Sequence, residues 1–363
     1  MEGTSWFEDL VEGVVTRGAS DLHLKVGSPP VRRVDGHLER VGEMKLSPLD
    51  TERILDGILP EKLRPEFERE GEVDFSLALA GKGRFRVNAF RQRGSVSVVM
   101  RFVPFEVPRL EDLGLPRAVR RLALEERGIV LVTGTTGSGK STTLAAMIDL
   151  VNRTTAKHIV TIEDPIEYLH RDHRSIINQR EVGSDTASFS RALRRVLRQD
   201  PDIILIGEIR DTETAQIALS AAETGHLVLS TLHTVDAAET VNRLIDLFPP
   251  YERGQVRAML AGTLRGIVGQ RLIRRSDGSG RIAACEIMIG TGRIRDFILD
   301  ESKTGQIPQA IAEGDYYGMQ TFDQALLGLL GSGQIDYQEA LKASSRPQDF
   351  QLMARALHQG TAH

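Results

Sequence analysis

The sequence predicts an α/β chain of two domains, a small α+β module ahead of a parallel-sheet domain, and three observations carry that expectation. At 363 residues the chain exceeds what one ordinary core encloses. Pro104, Pro108 and Pro116 break up any regular pattern between residues 104 and 117, which marks a linker. Beyond it, short apolar runs rich in β-branched residues alternate with longer helical patterns, as in strands buried on both faces of a parallel sheet. The expected divisions are 1–103, the linker 104–117, and 118–363.

Each element has a local reason. Ser5 and Glu8 have capping-box spacing, and Trp6, Phe7, Leu10, Val11, Val14 and Val15 follow at helical intervals until Gly18. Alternation predicts strands at Asp21–Lys25, Gly83–Phe90 and Ser95–Val103, and Ser47-Pro48 opens a helix between them. In the second domain, Ile129–Val132, Ile159–Ile162, Ile203–Ile206 and Leu227–Ser230 read as central strands. Chemistry in such a sheet belongs at the carboxyl ends of the strands. The marked polar residues fall there: Gly134, Glu163, Glu208 and His233. From about residue 252 the pattern reads as mostly helical, with Thr321 to Gln324 a second capping box.

Composition excludes some functions. A formal net charge of −4 argues against a protein built around bulk electrostatic binding to nucleic acid. Cys285 stands alone, so neither a disulfide framework nor a cysteine zinc site is expected, which fits a reducing cytosol. No apolar run approaches the roughly 20 residues that span a bilayer. Met1 to Ser5 lacks the basic and apolar regions of a signal peptide.

Gly134-Thr135-Thr136-Gly137-Ser138-Gly139-Lys140-Ser141 matches G-x-x-x-x-G-K-[ST] between a strand and a helix, with Thr142 next. Glycines there let backbone N–H groups turn inward around phosphate oxygens, and the helix start adds a favourable dipole. The pattern calls for ATP with Mg²⁺: Lys140 on the β- and γ-phosphates, the Ser141 hydroxyl on the metal. Glu208 ends an apolar strand and is placed to hold Mg²⁺, partly through water. Glu163 ends another and is placed to polarise the attacking water. Alone, each acid would read as a helix cap or ion-pair partner; two beside a phosphate loop read as catalytic.

These residues carry a resemblance. The phosphate loop, Thr161 to Tyr168, Gln199 to Asp211, and Thr224 to Thr234 resemble, in order, the Walker A, Asp box, Walker B and His box of secretion and pilus ATPases. Gly18 to Leu24 and Gly318 to Leu326 resemble that superfamily's outer signatures. Asn178 to Val182 is similar to the twitching-motility (PilT-like) retraction branch of type IV pilus ATPases. The resemblance implies an N-terminal PAS-like domain and a C-terminal RecA-like ATPase domain with a helical tail. It also implies a homohexamer that retracts pili, cytoplasmic and held at the inner membrane through a pilus platform protein, with a paralogous retraction ATPase a further partner. Assembly and type II secretion ATPases carry a large extra N-terminal domain and a four-cysteine zinc element, for which this chain has neither the length nor the cysteines. They stay open as alternatives. So does an accessory retraction role, since Arg293 to Glu301 matches the retraction enzymes' C-terminal motif only in part.

Arg84, Arg86, Arg91, Arg93 and Arg101 cluster on the last two strands of the first domain. In a regular ladder, period two puts Arg84 and Arg86 on one face and Arg91, Arg93 and Arg101 on the other. The resemblance makes arginine fingers of some, with Arg86 and Arg101 the leading candidates; the alternative is a solvated sheet face. Arg191, Arg194, Arg195 and Arg198 share a helical stripe suited to subunit-interface salt bridges. Of the two histidines flanking a strand, His233 at its end suits a γ-phosphate sensor better than His226, with a structural role open for both.

Overall fold

The computed structural model describes residues 5–34, 37–79, 83–103 and 107–360, without the side chains of Ser5 and of 357–360. The expected capping role of Ser5 and the linker residues Pro104 to Glu106 therefore lie outside the described residues. The chain forms two compact units: Met1–Glu106 with Ile166–Leu169, and Val107–Pro165 with His170–His363.

The first unit runs α1 (Ser5–Thr16), β1 (Asp21–Lys25), β2 (Val31–Val34), β3 (His37–Arg40), α2 (Pro48–Ile58), α3 (Arg64–Glu70), β4 (Glu72–Leu79), β5 (Gly83–Gln92) and β6 (Ser95–Val103). Its antiparallel sheet has the order β3-β2-β1-β6-β5-β4. Helix α2 opens as its sequence predicts: Ser47 Oγ accepts from Asp50 N–H, the Asp50 carboxylate accepts from Ser47 N–H at 2.7 Å, and Pro48 takes the first turn. Phe7, Val11, Leu22, Leu24, Phe85, Val87, Val98 and Met100 fill the core beneath one sheet face.

The hairpin β5–β6 corrects the expected arginine faces. Arg93 and Gly94 form a two-residue turn with φ of 52° and 79°, the left-handed pair that closes tight hairpins. That turn sets Arg86 directly opposite Arg101, so the two share a face and Arg93 belongs to the turn. Residue parity does not carry through a two-residue turn: even positions of β5 face the same way as odd positions of β6. Arg84 and Arg86 share a face as expected, and Arg91 keeps its expected place on the other, with its guanidinium 5.2 Å from the Phe67 ring centre.

The second unit runs α4 (Arg117–Ala123), β7 (Gly128–Thr133), α5 (Lys140–Thr154), β8 (His158–Glu163), β9 (Ile176–Glu181), α6 (Phe189–Val196), β10 (Ile203–Ile206), α7 (Thr212–Glu223), β11 (Leu227–Leu232), α8 (Ala237–Asp246), α9 (Arg253–Thr263), β12 (Leu264–Arg274), β13 (Arg281–Ile289), α10 (Gly292–Leu299), α11 (Ile307–Ala312), α12 (Phe322–Gly331), α13 (Tyr337–Ala343) and α14 (Pro347–Gly360). The sheet order is β13-β12-β7-β11-β10-β8-β9, parallel except for the β12–β13 pair. Every residue of β7, β10 and β11 is buried, as runs covered by helices on both faces must be. Leu110, Leu113 and Leu115, in the stretch read as linker, pack into this core.

The expectation of a mostly helical chain beyond residue 252 fails over β12 and β13. Their apolar content is high enough to suit a buried helix, and period alone does not separate the two. The Asp277-Gly278 turn signal between them is what favours a hairpin. Helices α12 to α14, with Ile335 between the first two, pack Leu326, Ala340, Phe350 and Ala354 onto Ile273, Ile282 and Ala284 of that pair. Each such large apolar side chain contributes about 1.5–3 kcal/mol when buried. No helix of the described residues is long and apolar enough to cross a membrane.

Candidate active site

The buried strand β7 delivers the chain into the Gly134–Gly139 loop, and α5 begins at Lys140. Gly134 adopts φ of 140°, and a Cβ on it would fall 2.4 Å from Gln270 O and 2.6 Å from Ser138 Oγ. Only glycine fits there. Gln270 of β12, buried beside β7, is the floor of the loop: its Oε1 accepts from Thr143 Oγ1 at 2.9 Å, and its Nε2 lies 2.8 Å from where a Cβ on Gly139 would stand. Thr135, Thr136 and Gly137 form the exposed crest, whereas Ser138 and Lys140 are buried. Lys140 Nζ donates to Gly134 O at 2.8 Å and Thr135 O at 3.0 Å. Ser141 and Thr142 follow in the first turn of α5, half-buried.

Register places the other expected residues along the same sheet edge. Thr133 pairs with Leu232, Ser230 with Ile206, and Ile206 with Ile162. Gly134, His233 and Glu208 therefore follow the carboxyl ends of three adjacent strands and Glu163 closes a fourth, with about 4.8 Å from one strand to the next. Thr231 fixes the Glu208 segment, donating through Oγ1 to Gly207 O at 2.7 Å and accepting from Ile209 N–H at 3.1 Å. The Glu208 side chain is buried between two cationic or polar partners: Arg210 Nη2 lies 2.5 Å from Oε1 and His233 Nε2 lies 3.4 Å from Oε2. Glu163 Oε1 accepts from Thr161 Oγ1 at 2.6 Å and Gln179 Nε2 at 3.1 Å, which fixes the plane of its carboxylate. Gln179 is itself oriented, accepting from His170 N–H at 2.8 Å. His226 sits at the opposite, amino end of β11, against Ala221 O and Thr224 Oγ1, in a structural role.

Sequence reading missed Arg210, Gln179 and Gln270 as members of the site. Gln179 stands opposite Thr161 in the β8–β9 register and Gln270 comes from β12, so only tertiary pairing brings them in.

In the first unit, Arg86 and Arg101 belong to a row that crosses the sheet from Arg33 through Asp21, Arg101 and Arg86 to Ser76. Arg101 Nε lies 2.9 Å from Asp21 Oδ1, and Arg33 Nε 3.6 Å from Oδ2. Burial pushes the Asp21 carboxyl up, but hydrogen bonds from Ser20 and Arg101 outweigh it and hold the group below the usual carboxylate range. Arg86 Nη2 donates to Ile166 O at 2.9 Å and lies 3.7 Å from Glu167 Oε1. The α6 stripe divides: Arg194 pairs with Glu213, while Arg191 and Arg195 line, with Arg180, an open cavity of about 470 Å³.

Strand order and strand-end chemistry together are those of a RecA-like P-loop ATPase. Comparison with known proteins narrows that class. The family model described as Type II/IV secretion system protein matches residues 4–314. The type IV pilus retraction ATPase PilT of Pseudomonas aeruginosa is 49% identical over 342 residues, 94% of this chain and 99% of that one. The type IV pilus ATPase PilU of the same organism is 42% identical over 96% of this chain and 91% of its own. A crystal structure of the pilus retraction motor PilT with bound ADP superposes with a TM-score of 0.87 at 46% identity, covering 94% of this chain and 97% of that one. The chain belongs to the Type II/IV secretion system protein family and is an ATPase of its PilT type.

Proposed function

We propose that this chain is the ATP-driven motor that retracts type IV pilus fibres, working as a ring of six. The observation that carries the reading is the convergence of the phosphate loop, Glu208, Glu163 and His233 on one sheet edge, in a chain similar to PilT across nearly the full length of both.

The loop suits a triphosphate: its glycines admit the backbone closely, Lys140 brings a buried ammonium, and buried Ser138 Oγ has no protein partner among the described residues. In this reading Gly134 to Thr142 cradle the phosphates and Lys140 neutralises the β- and γ-oxygens. Ser141 and Glu208 offer the hard oxygen donors that suit Mg²⁺. Bound there, the metal neutralises charge on the phosphates. Glu163, with its plane fixed by Thr161 and Gln179, orients and polarises the attacking water. His233 reports the γ-phosphate to the Glu208 segment. Arg86 and Arg101 supply finger charge, and Arg191 and Arg195 meet a neighbouring subunit. Hydrolysis turns the domain of residues 1–103 against that of 118–363, a rigid-body switch biased by phosphate contacts. The ring works in the cytoplasm against an inner-membrane platform protein, with a paralogous ATPase as a further partner.

Similarity to PilU favours a second reading, an accessory retraction ATPase. Pilus counts by electron microscopy beside twitching measurements in a deletion strain separate the two. The primary motor leaves piliated cells that do not twitch. Normal twitching points to the accessory role, and bald cells would overturn retraction altogether.

A further inference from the structure

Ala237 opens α8, so its N–H is among the four at a helix start that have no partner inside the helix. Asp236 caps that end by accepting from Glu239 N–H at 2.8 Å, which leaves the Ala237 donor over. It donates to Glu286 Oε1 at 2.7 Å, across 49 residues of sequence. Glu286 is a buried residue of β13. It faces the same side of the sheet as its register partner Gly269 and as Arg271 two residues along β12.

That face is covered by the C-terminal helices. The Arg271 guanidinium lies 3.8 Å from the Phe322 ring centre and donates to Ala343 O, the last residue of α13, at 2.5 Å. Asp323 accepts from Ser345 N–H at 2.7 Å and Arg346 N–H at 3.3 Å. Gly269 makes room for the arrangement, since a Cβ there would stand 3.0 Å from the Phe322 ring. The charges of Asp236, Glu286, Arg271 and Asp323 are near enough to act on one another, beside the start of α8 and the contacts of α12 and α13. Between β11 and α8 lie only His233 to Asp236, and His233 is the residue beside Glu208.

We propose that Glu286 is a positioning residue for the ATP site, anchoring the far end of the His233 loop. The loop is short, fixed at one end by β11 and pinned near the other by the Thr234–Thr240 hydroxyl pair at 2.6 Å. Val235 N–H donates to Glu239 Oε2 at 3.0 Å and Thr240 Oγ1 to Asp236 O at 2.6 Å, and the Ala237–Glu286 bond adds a hold from the sheet. Burial pushes the Glu286 carboxyl up to about 7; Asp236 and Asp323 add to the rise, while the Ala237 N–H and Arg271 oppose it. An ionised carboxylate accepts more strongly than the neutral acid. Above about pH 7 the loop is therefore held by a charged acceptor, and below it by a weaker neutral one. The inference rests on Glu208 and His233 being the hydrolytic site.

The test is Mg-ATP turnover by the full chain from about pH 6 to about pH 8.5, for wild type, Glu286→Gln and Glu286→Leu, with thermal unfolding alongside. Glutamine keeps an acceptor that does not ionise; leucine removes it. Glu286→Leu should lower kcat about tenfold with KM within about twofold. Glu286→Gln should recover most of that loss at the acid end. The ratio of wild-type to Glu286→Gln kcat should rise about threefold toward the alkaline end, with its midpoint near 7. Unchanged kcat in Glu286→Leu, a loss that glutamine does not recover, or a ratio flat in pH overturns the proposal. If Glu286→Leu does not fold, the pH course of the ratio decides. Wild type without turnover would overturn the site reading itself, and this inference with it.

Discussion

Glu163 and Glu208 are both strand-end carboxylates, yet their surroundings differ in kind. Glu208 is buried, with Arg210 Nη2 beside one carboxylate oxygen and His233 Nε2 beside the other. Glu163 accepts from Thr161 and Gln179, and the two bonds fix its orientation. A carboxylate whose plane is fixed beside the phosphate loop can orient and polarise a water. Glu163→Gln is therefore expected to bind Mg-ATP with affinity within about threefold of wild type and to hydrolyse it about a hundredfold more slowly. Nucleotide titration beside steady-state turnover checks it, and near-normal turnover would move the base to another residue. The acids, Lys140 and His233 were legible in the sequence because each sits beside a local signal, an apolar strand or a glycine-rich loop. Gln270 and Glu286 were not, because what gives each its place is a partner in space; Arg210 stands two residues from Glu208 and carries no pattern of its own. Gln270 meets Thr143 across 127 positions, and Glu286 meets Ala237 across 49.

At the scale of elements, the central strands β7, β8, β10 and β11 announced themselves because burial on both faces leaves almost no polar residue in them. The N-cap at Ser47 and the capping box at Thr321 were legible for a similar reason, since the whole interaction lies within four residues. The β5–β6 face assignment failed because the two-residue Arg93-Gly94 turn, not the strands, sets relative parity. Its consequence is the row Arg33, Asp21, Arg101, Arg86 across the first unit's sheet, in which one buried carboxylate stands against two guanidinium groups. Like charges directly opposite, as Arg86 and Arg101 are, destabilise a sheet. Asp21 offsets that cost. Asp21→Asn should lower stability by about 1–3 kcal/mol at neutral pH, a range reduced by the exposure of Arg101. Because the folded carboxyl lies below its ordinary value, the contribution is complete above about pH 4 and fades as pH falls through the lower folded value. Urea unfolding of both proteins at several pH values checks this: the gap should narrow only in acid, and a gap independent of pH would contradict it.

For the whole molecule, the chain forms two compact units, and the reading of it as a motor requires turnover at the proposed strand-end site to produce movement of a pilus. Neither the sheet edge nor the arginine row encodes a mechanical direction; direction follows from the order in which neighbouring sites open and close. The link between hydrolysis and retraction is therefore the claim to measure in cells. A deletion strain is complemented with wild type or Lys140→Ala at matched protein levels, and the shortening of fluorescently labelled pili is followed in single cells. Lys140 Nζ is bound by the loop's own carbonyls at the phosphate cradle, so its loss should remove turnover while leaving the sheet intact. The account predicts frequent retraction with wild type and at least about a hundredfold fewer events with Lys140→Ala. Retraction at wild-type frequency with Lys140→Ala would contradict it.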